Sequence, residues 1–242
     1  QLTAMSARYA PVALTADVTH LSAGDRQAIA KLVEAAKLVD VLQLRQRWSG
    51  NEALWAALKK DKSTLGQARL NYFWINKGPW SVLDAHASFM PASYAGIAIP
   101  AHKPEAGNFY PQGATKASLE TWMNGLSADD KQQAQWFFTT IRAGKDGKYQ
   151  TVKYSDEYKV ELKQLARLLD EAAAATDNAS LKKFLTLRAK AFLDNDYLPS
   201  DFAWMDLDSP VDITIGPYET YNDELFGYKA AFEAYVNIRD QA

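Results

Sequence analysis

Between Val211 and Ile238 the chain twice alternates apolar and polar residues. A period of two can be buried on one side only as a β-strand, so this stretch limits the fold more than any other. Val211, Ile213 and Ile215 share one face, and Gly216-Pro217 is expected to stop that strand. Farther on, Phe232, Ala234, Val236 and Ile238 share a face, with Glu233, Tyr235 and Asn237 opposite, so the second strand carries a carboxylate. A helix from Glu224 to Tyr235 fits part of the same pattern and stays open as an alternative. A strand reaching Ile238 needs a partner, and the candidates are residues beyond 242 or Val211–Ile215.

The segment between the two runs is dense in acceptors: Tyr218, Glu219, Tyr221, Asn222, Asp223 and Glu224. A carboxylate flanked by tyrosines can present several oxygens to one ligand, and an ammonium group suits such a set. The plainer reading is a group of strand-end residues satisfying their own turn.

Upstream the periodicity is mostly helical. Ser22 and Asp25 have the spacing of a helix start, and Ile29, Leu32, Val33, Ala36, Val39 and Leu42 then predict a helix to about Trp48. Shorter helices follow around Leu54–Leu58 and from Ser63, the latter with Leu65, Ala68, Tyr72 and Ile75, ended by Gly78-Pro79. Residues 80–113 hold Pro91, Pro100, Pro104 and Pro111, a density that excludes long helices. Asn108 and Tyr110 sit there and could line a cleft or simply pin a loop to the core. Helical signals resume at Thr115 and at Ser127, the second with Ala134, Phe137, Phe138 and Ile141. Lys148–Tyr154 reads as half of an exposed hairpin, and two paired helices follow, joined at Thr176-Asp177-Asn178. Pro199 suits the first turn of one more helix. The fold class is therefore mainly α with a minor β part (α+β). It forms one lobe over 1–242, helical from 21 to 210 and strand-rich from 211 to 240, after an extended N-terminal arm.

A net charge of −2 gives no basic footprint for nucleic acid, and no apolar run is long enough to span a membrane. Zero cysteines exclude disulfides and thiol chemistry. The chain begins with Gln, as it would after removal of a signal sequence, which points to export over the cytoplasm; an artificial chain end would look the same. Asp194-Asn195-Asp196 opens like a calcium loop, but Pro199 stands where that loop needs glycine. The seven tryptophans are expected in the core, and His86 in a loop.

The segment IGPYETYNDELFGYKAAFEAYV (215–236) resembles one in the dipeptidyl peptidase III family of zinc metallopeptidases, and the related region of plant proteins that carry a Nudix hydrolase domain. Trp74-Ile75-Asn76-Lys77-Gly78-Pro79-Trp80, Gly107-Asn108-Phe109-Tyr110-Pro111 and Asp201-Phe202-Ala203-Trp204-Met205-Asp206-Leu207 are similar in the same order, so the resemblance runs from about Leu21 to Asp240.

The resemblance implies that Glu219 binds the free α-ammonium group of a peptide substrate, with Tyr221 lining the same subsite. A carboxylate there would measure two residues from the N-terminus to the scissile bond. Glu233, Asn108 and Tyr110 are further candidates for the cleft wall. The family's zinc helix pairs two histidines one turn apart with a glutamate base, whereas His20, His86 and His102 are far apart and none precedes Glu. No metal ligand is therefore assigned in this chain, and zinc would enter with the remainder of the peptidase chain, the catalytic lobe. The chain is expected to be either the N-terminal, substrate-side portion of such an enzyme, inactive alone, or a shortened relative serving as a helical module that binds peptide or protein.

Overall fold

The computed structural model describes residues 1–239. A short helix α1 (Leu2–Ser6) opens the N-terminal arm, which is exposed for most of its length and joined to the body where Arg8 Nη1 meets Asp84 Oδ1 at 2.9 Å. The expectation of a wholly extended arm is corrected by α1.

Helix α2 (Ala23–Arg47) is the central rod. Ser22 caps it, its Oγ accepting from the Asp25 amide at 3.0 Å. The buried stripe is Ala28, Leu32, Ala35, Val39 and Leu42, so Val33 and Ala36, expected inward, lie off it. Next come α3 (Asn51–Lys60) and α4 (Thr64–Asn76). The inward residues of α4 include Tyr72, Phe73 and Asn76, while Leu65 and Ile75 are exposed, which corrects the face read from their spacing.

The Pro-rich region holds two short ladders, β1 (Trp80–Ser81) with β2 (Ala87–Ser88) and β3 (Ser93–Tyr94) with β4 (Ile97–Ala98), with a 3-10 turn at Val82–Asp84. Helices α5 (Lys116–Asn124) and α6 (Ala128–Gln135) follow. Helix α6 ends before Phe137 and Phe138, and Ile141 lies in strand β5 (Thr139–Ala143), paired with β6 (Tyr149–Lys153). A helix through Ile141 was the expectation. The apolar spacing allowed it, but the β-branched Thr139-Thr140-Ile141 run finds a strand partner and pairs instead.

A helical turn, α7 (Tyr154–Glu157), leads into α8 (Lys159–Ala175), and α9 (Ala179–Asp194) packs on it. Gly24 lets α2 reach the end of α8: a Cβ there would stand 2.3 Å from the Ala175 carbonyl oxygen. Asp25, buried, accepts from Thr176 Oγ1 at 2.6 Å and ties α2 to the α8–α9 link. Helix α10 (Leu198–Met205) has proline in its first turn. No helix among the described residues is long and apolar enough to cross a membrane.

Strands β7 (Val211–Glu219) and β8 (Ala231–Ile238) form an antiparallel hairpin, so the second strand reading holds over the helix and the partner of β8 is β7. The stop expected at Gly216-Pro217 does not occur. Pro217 faces Phe232, whose amide turns away to Gln46 Oε1 at 2.8 Å, so the missing proline N–H falls where no ladder bond is made. The boundary expected at residue 240 lies outside the described residues. The main core unites α2, α8 and α9 with Ile213, Ile215 and Phe232. A second cluster around Trp48, Phe73 and Trp80 packs below the Pro-rich region. Three tryptophans expected inside, Trp74, Trp136 and Trp204, are partly exposed. Trp74 stacks on Trp55, and the Lys77 and Lys59 ammonium groups lie over the two rings at 3.4 and 3.7 Å.

Candidate functional site

The loop between β7 and β8, residues 220–230, is built on Asp223. This buried carboxylate accepts from the Tyr110 hydroxyl at 2.7 Å and from the amides of Leu225, Phe226, Tyr228 and Lys229 at 3.2, 3.1, 2.9 and 3.1 Å. An aspartate that closes a turn over the amides following it is a local preference, and the tyrosine supplies the long-range anchor. Burial, with the Asp223 charge beside it, raises the Tyr110 phenol well above its ordinary pKa.

Lys229 closes the loop from the other side. Its buried ammonium donates to the Ala134 and Trp136 carbonyls at 2.6 and 3.0 Å and to Thr139 Oγ1 at 2.8 Å. Burial pushes its pKa down to about 7, with Asp223 opposing. Farther along, Lys103 Nζ lies 2.9 Å from Glu224, and His86 Nδ1 is 3.6 Å from the same carboxylate. Burial holds the pKa values of Lys103 and His86 below their ordinary ranges.

The frame presents two acids toward the loop end of the hairpin. Glu219 is exposed at the end of β7, after a bulge between Pro217 and Glu219, and Glu233 is half-buried on β8 opposite Gly216. Burial and then the Glu219 charge raise the Glu233 pKa, opposed by a 3.3 Å hydrogen bond from the Tyr235 hydroxyl. Among the described residues neither carboxylate forms an ion pair with a Lys, Arg or His side chain. Tyr221 is 82% exposed in the same loop. Such an arrangement can receive one cationic group without displacing an internal partner.

Asn108 and Tyr110 are placed elsewhere. Both line a cleft of about 530 Å³ with Trp48, Lys116 and Leu225, while Glu219, Tyr221 and Glu233 are absent from its wall. Their polar atoms also serve the frame: Asn108 Nδ2 donates to the Arg45 carbonyl at 3.0 Å, and Tyr110 to Asp223. The residues expected at one site thus fall in two places, Asn108 and Tyr110 in the cleft and Glu219, Tyr221 and Glu233 outside its wall. Sequence reasoning also missed the structural parts of Asp223 and Lys229. A lone lysine in the apolar run Phe226–Phe232 was the available signal for the second. Among the described residues no three His, Asp or Glu side chains converge as a metal ion would require.

No family model matches the chain. It is similar to the dipeptidyl-peptidase III structure from Corallococcus sp. strain EGB, with a TM-score of 0.95 and 50% identity over 99% of this chain and 43% of that one. It is also similar to the DPP III structure from Caldithrix abyssi, with a TM-score of 0.91 and 40% identity over 99% of this chain and 44% of that one. Nudix hydrolase 3 of Arabidopsis thaliana, whose name denotes a different hydrolase, is 38% identical over 96% of this chain and 36% of its own length. The chain is dipeptidyl-peptidase III-like over 99% of its length, and it spans less than half the length of each of these relatives.

Proposed function

We propose that this dipeptidyl-peptidase III-like chain is the substrate-side lobe of a zinc peptidase, and that Glu219 and Glu233 receive the free α-ammonium group of a peptide. The observation that carries the reading is the pair of neighbouring carboxylates at the hairpin end, one with a raised pKa and neither joined to an internal cation among the described residues. A protonated amine supplies the missing charge and three N–H donors, and Tyr221 and Tyr235 add hydroxyls at the rim. Anchoring the N-terminus fixes how far along the peptide the scissile bond lies. The zinc ion and its glutamate base would come from the remainder of the peptidase chain.

The test is peptide binding by this chain, followed by calorimetry, with a tetrapeptide carrying a free N-terminus and its N-acetylated twin. The free peptide should bind at least tenfold tighter, and the difference should vanish in Glu219→Gln. Equal affinities would remove the ammonium from the reading.

A second reading, a helical module that binds peptide or protein without catalysis, is favoured by one fact: the matched segment also occurs under the name of a different hydrolase. The two separate on the protein as its source cell makes it. A mass well above 26.9 kDa with zinc-dependent dipeptide release supports the peptidase lobe, and a mass near 26.9 kDa without release supports the module.

A further inference from the structure

Helix α10 is turned inside out. Its two buried residues are Ser200 and Ala203, while Leu198, Phe202 and Met205, at the i, i+4 and i+7 positions of one face, are 61, 59 and 74% exposed. Trp204 beside them and Leu193 near the end of α9 are also exposed. Small residues and a polar clamp hold the helix to the body: Ser200 and Ala203 face inward, and Arg188, buried on α9, pairs with Asp201. An amphipathic helix normally turns such a stripe inward, and an apolar face left outward marks a surface that something covers.

We propose that this face is the docking surface for the part of a dipeptidyl-peptidase III-like chain outside the matched segment, an inference that rests on the substrate-lobe reading above. Both solved relatives contain this lobe within a chain more than twice its length, so each has a larger body available to cover the helix. A second copy is the poorer occupant. A stable interface between separate proteins buries roughly 800 Å² on each side, and one face of an eight-residue helix offers only a fraction of that. A segment of the same polypeptide docks on a small face because its effective concentration is high. The position fits as well. Asp201 is clamped by Arg188, which also donates to the Ile215 carbonyl at 3.2 Å and lies over the Tyr218 ring, next to Glu219. The helix is thereby tied through Arg188 to the strand that ends at Glu219.

Residues 1–242 hold no cysteine, so a thiol placed on this face is identified unambiguously within this segment by peptide mapping after labelling. In the protein as its source cell makes it, Met205→Cys is compared with Val160→Cys, a site of similar exposure on α8. The thiol at 205 is expected to react with a maleimide at least tenfold more slowly than that at 160. A photo-crosslinking benzoylphenylalanine at Phe202 is expected to join, within one molecule, sequence outside residues 1–242. Equal labelling rates, a crosslink to a second copy or to another protein, or a source-cell product of 26.9 kDa would each overturn the proposal. Dipeptide release is measured on the same preparation. Release with fast labelling at 205 overturns the docking surface alone, whereas slow labelling with no release keeps the surface and overturns the peptidase reading.

Discussion

Tyr110 donates its hydroxyl to the Asp223 carboxylate at 2.7 Å, across 113 positions of sequence, and so fastens the Pro-rich region to the loop that separates the two C-terminal strands. Asp223 then has five donors around it, four of them backbone amides of its own loop. Asp223→Ala leaves those amides unpaired and is expected to destabilise the protein by about 3 kcal/mol, and Tyr110→Phe by about 1 kcal/mol. Urea unfolding checks both. A loss below about 0.5 kcal/mol for Asp223→Ala would show that solvent satisfies the loop equally well.

The acids at the hairpin end are coupled. The folded Glu233 carboxyl keeps its proton to a higher pH than its ordinary 4.5, first through burial and second through Glu219. In that window the folded state holds more proton than the unfolded one, so this group's contribution to stability is lost as pH rises through it. Glu219→Gln removes the charge and should move the Glu233 titration downward, as seen by carbon NMR of its side-chain carboxyl. Saturation with a free-amine peptide should move it the same way, and the peptide should bind more weakly as acid protonates Glu233. An unmoved titration in both experiments would separate the two carboxylates.

Lys229 has the opposite sign. Its folded pKa lies near 7, below the ordinary 10.5, because burial disfavours the charge. Between those values the unfolded chain carries a proton that the folded chain has released, so stability rises with pH across the window. Below the folded pKa the cost of burying the ammonium is present in full. The unfolding free energy of the wild type relative to Lys229→Met is expected to climb from pH 7 toward 10.5. A flat difference would mean that the Ala134, Trp136 and Thr139 oxygens keep the ammonium charged throughout.

Gly216 of β7 lies close against Arg188 of α9. A Cβ there would stand 2.4 Å from Arg188 Nη1, and the backbone φ of +149° is one that residues with a side chain rarely adopt. Gly216→Ala should cost about 2–4 kcal/mol, read as a fall in the urea midpoint at unchanged slope. A shift within about 0.5 kcal/mol of zero would show that the guanidinium moves aside freely.

Much of this architecture follows from interactions within a few residues. Ser22 and Asn178 carry the oxygens that cap α2 and α9, and the alternation from Phe232 to Ile238 sorts one face of β8 from the other. These were legible because caps and periods are local. Glu219 and Glu233 stood out as acids in or beside the two strand runs, and a family resemblance suggested a ligand for Glu219 alone. What local reasoning could not supply was the outcome of competition between distant partners. The run from Ala134 to Ile141 fits a helix or a strand, and pairing with Tyr149–Lys153 decided it. Pro217 stays inside a strand because Gln46, on a helix, takes the amide of the residue opposite. Lys229 is buried because three oxygens from the α6–β5 junction surround its ammonium group. The sequence by itself determined which residues cap, alternate and turn. Only the tertiary structure decided which polar groups share a buried space and which apolar face of α10 stays outside, because hydrogen bonding and burial depend on neighbours that the chain meets only after it has closed on itself.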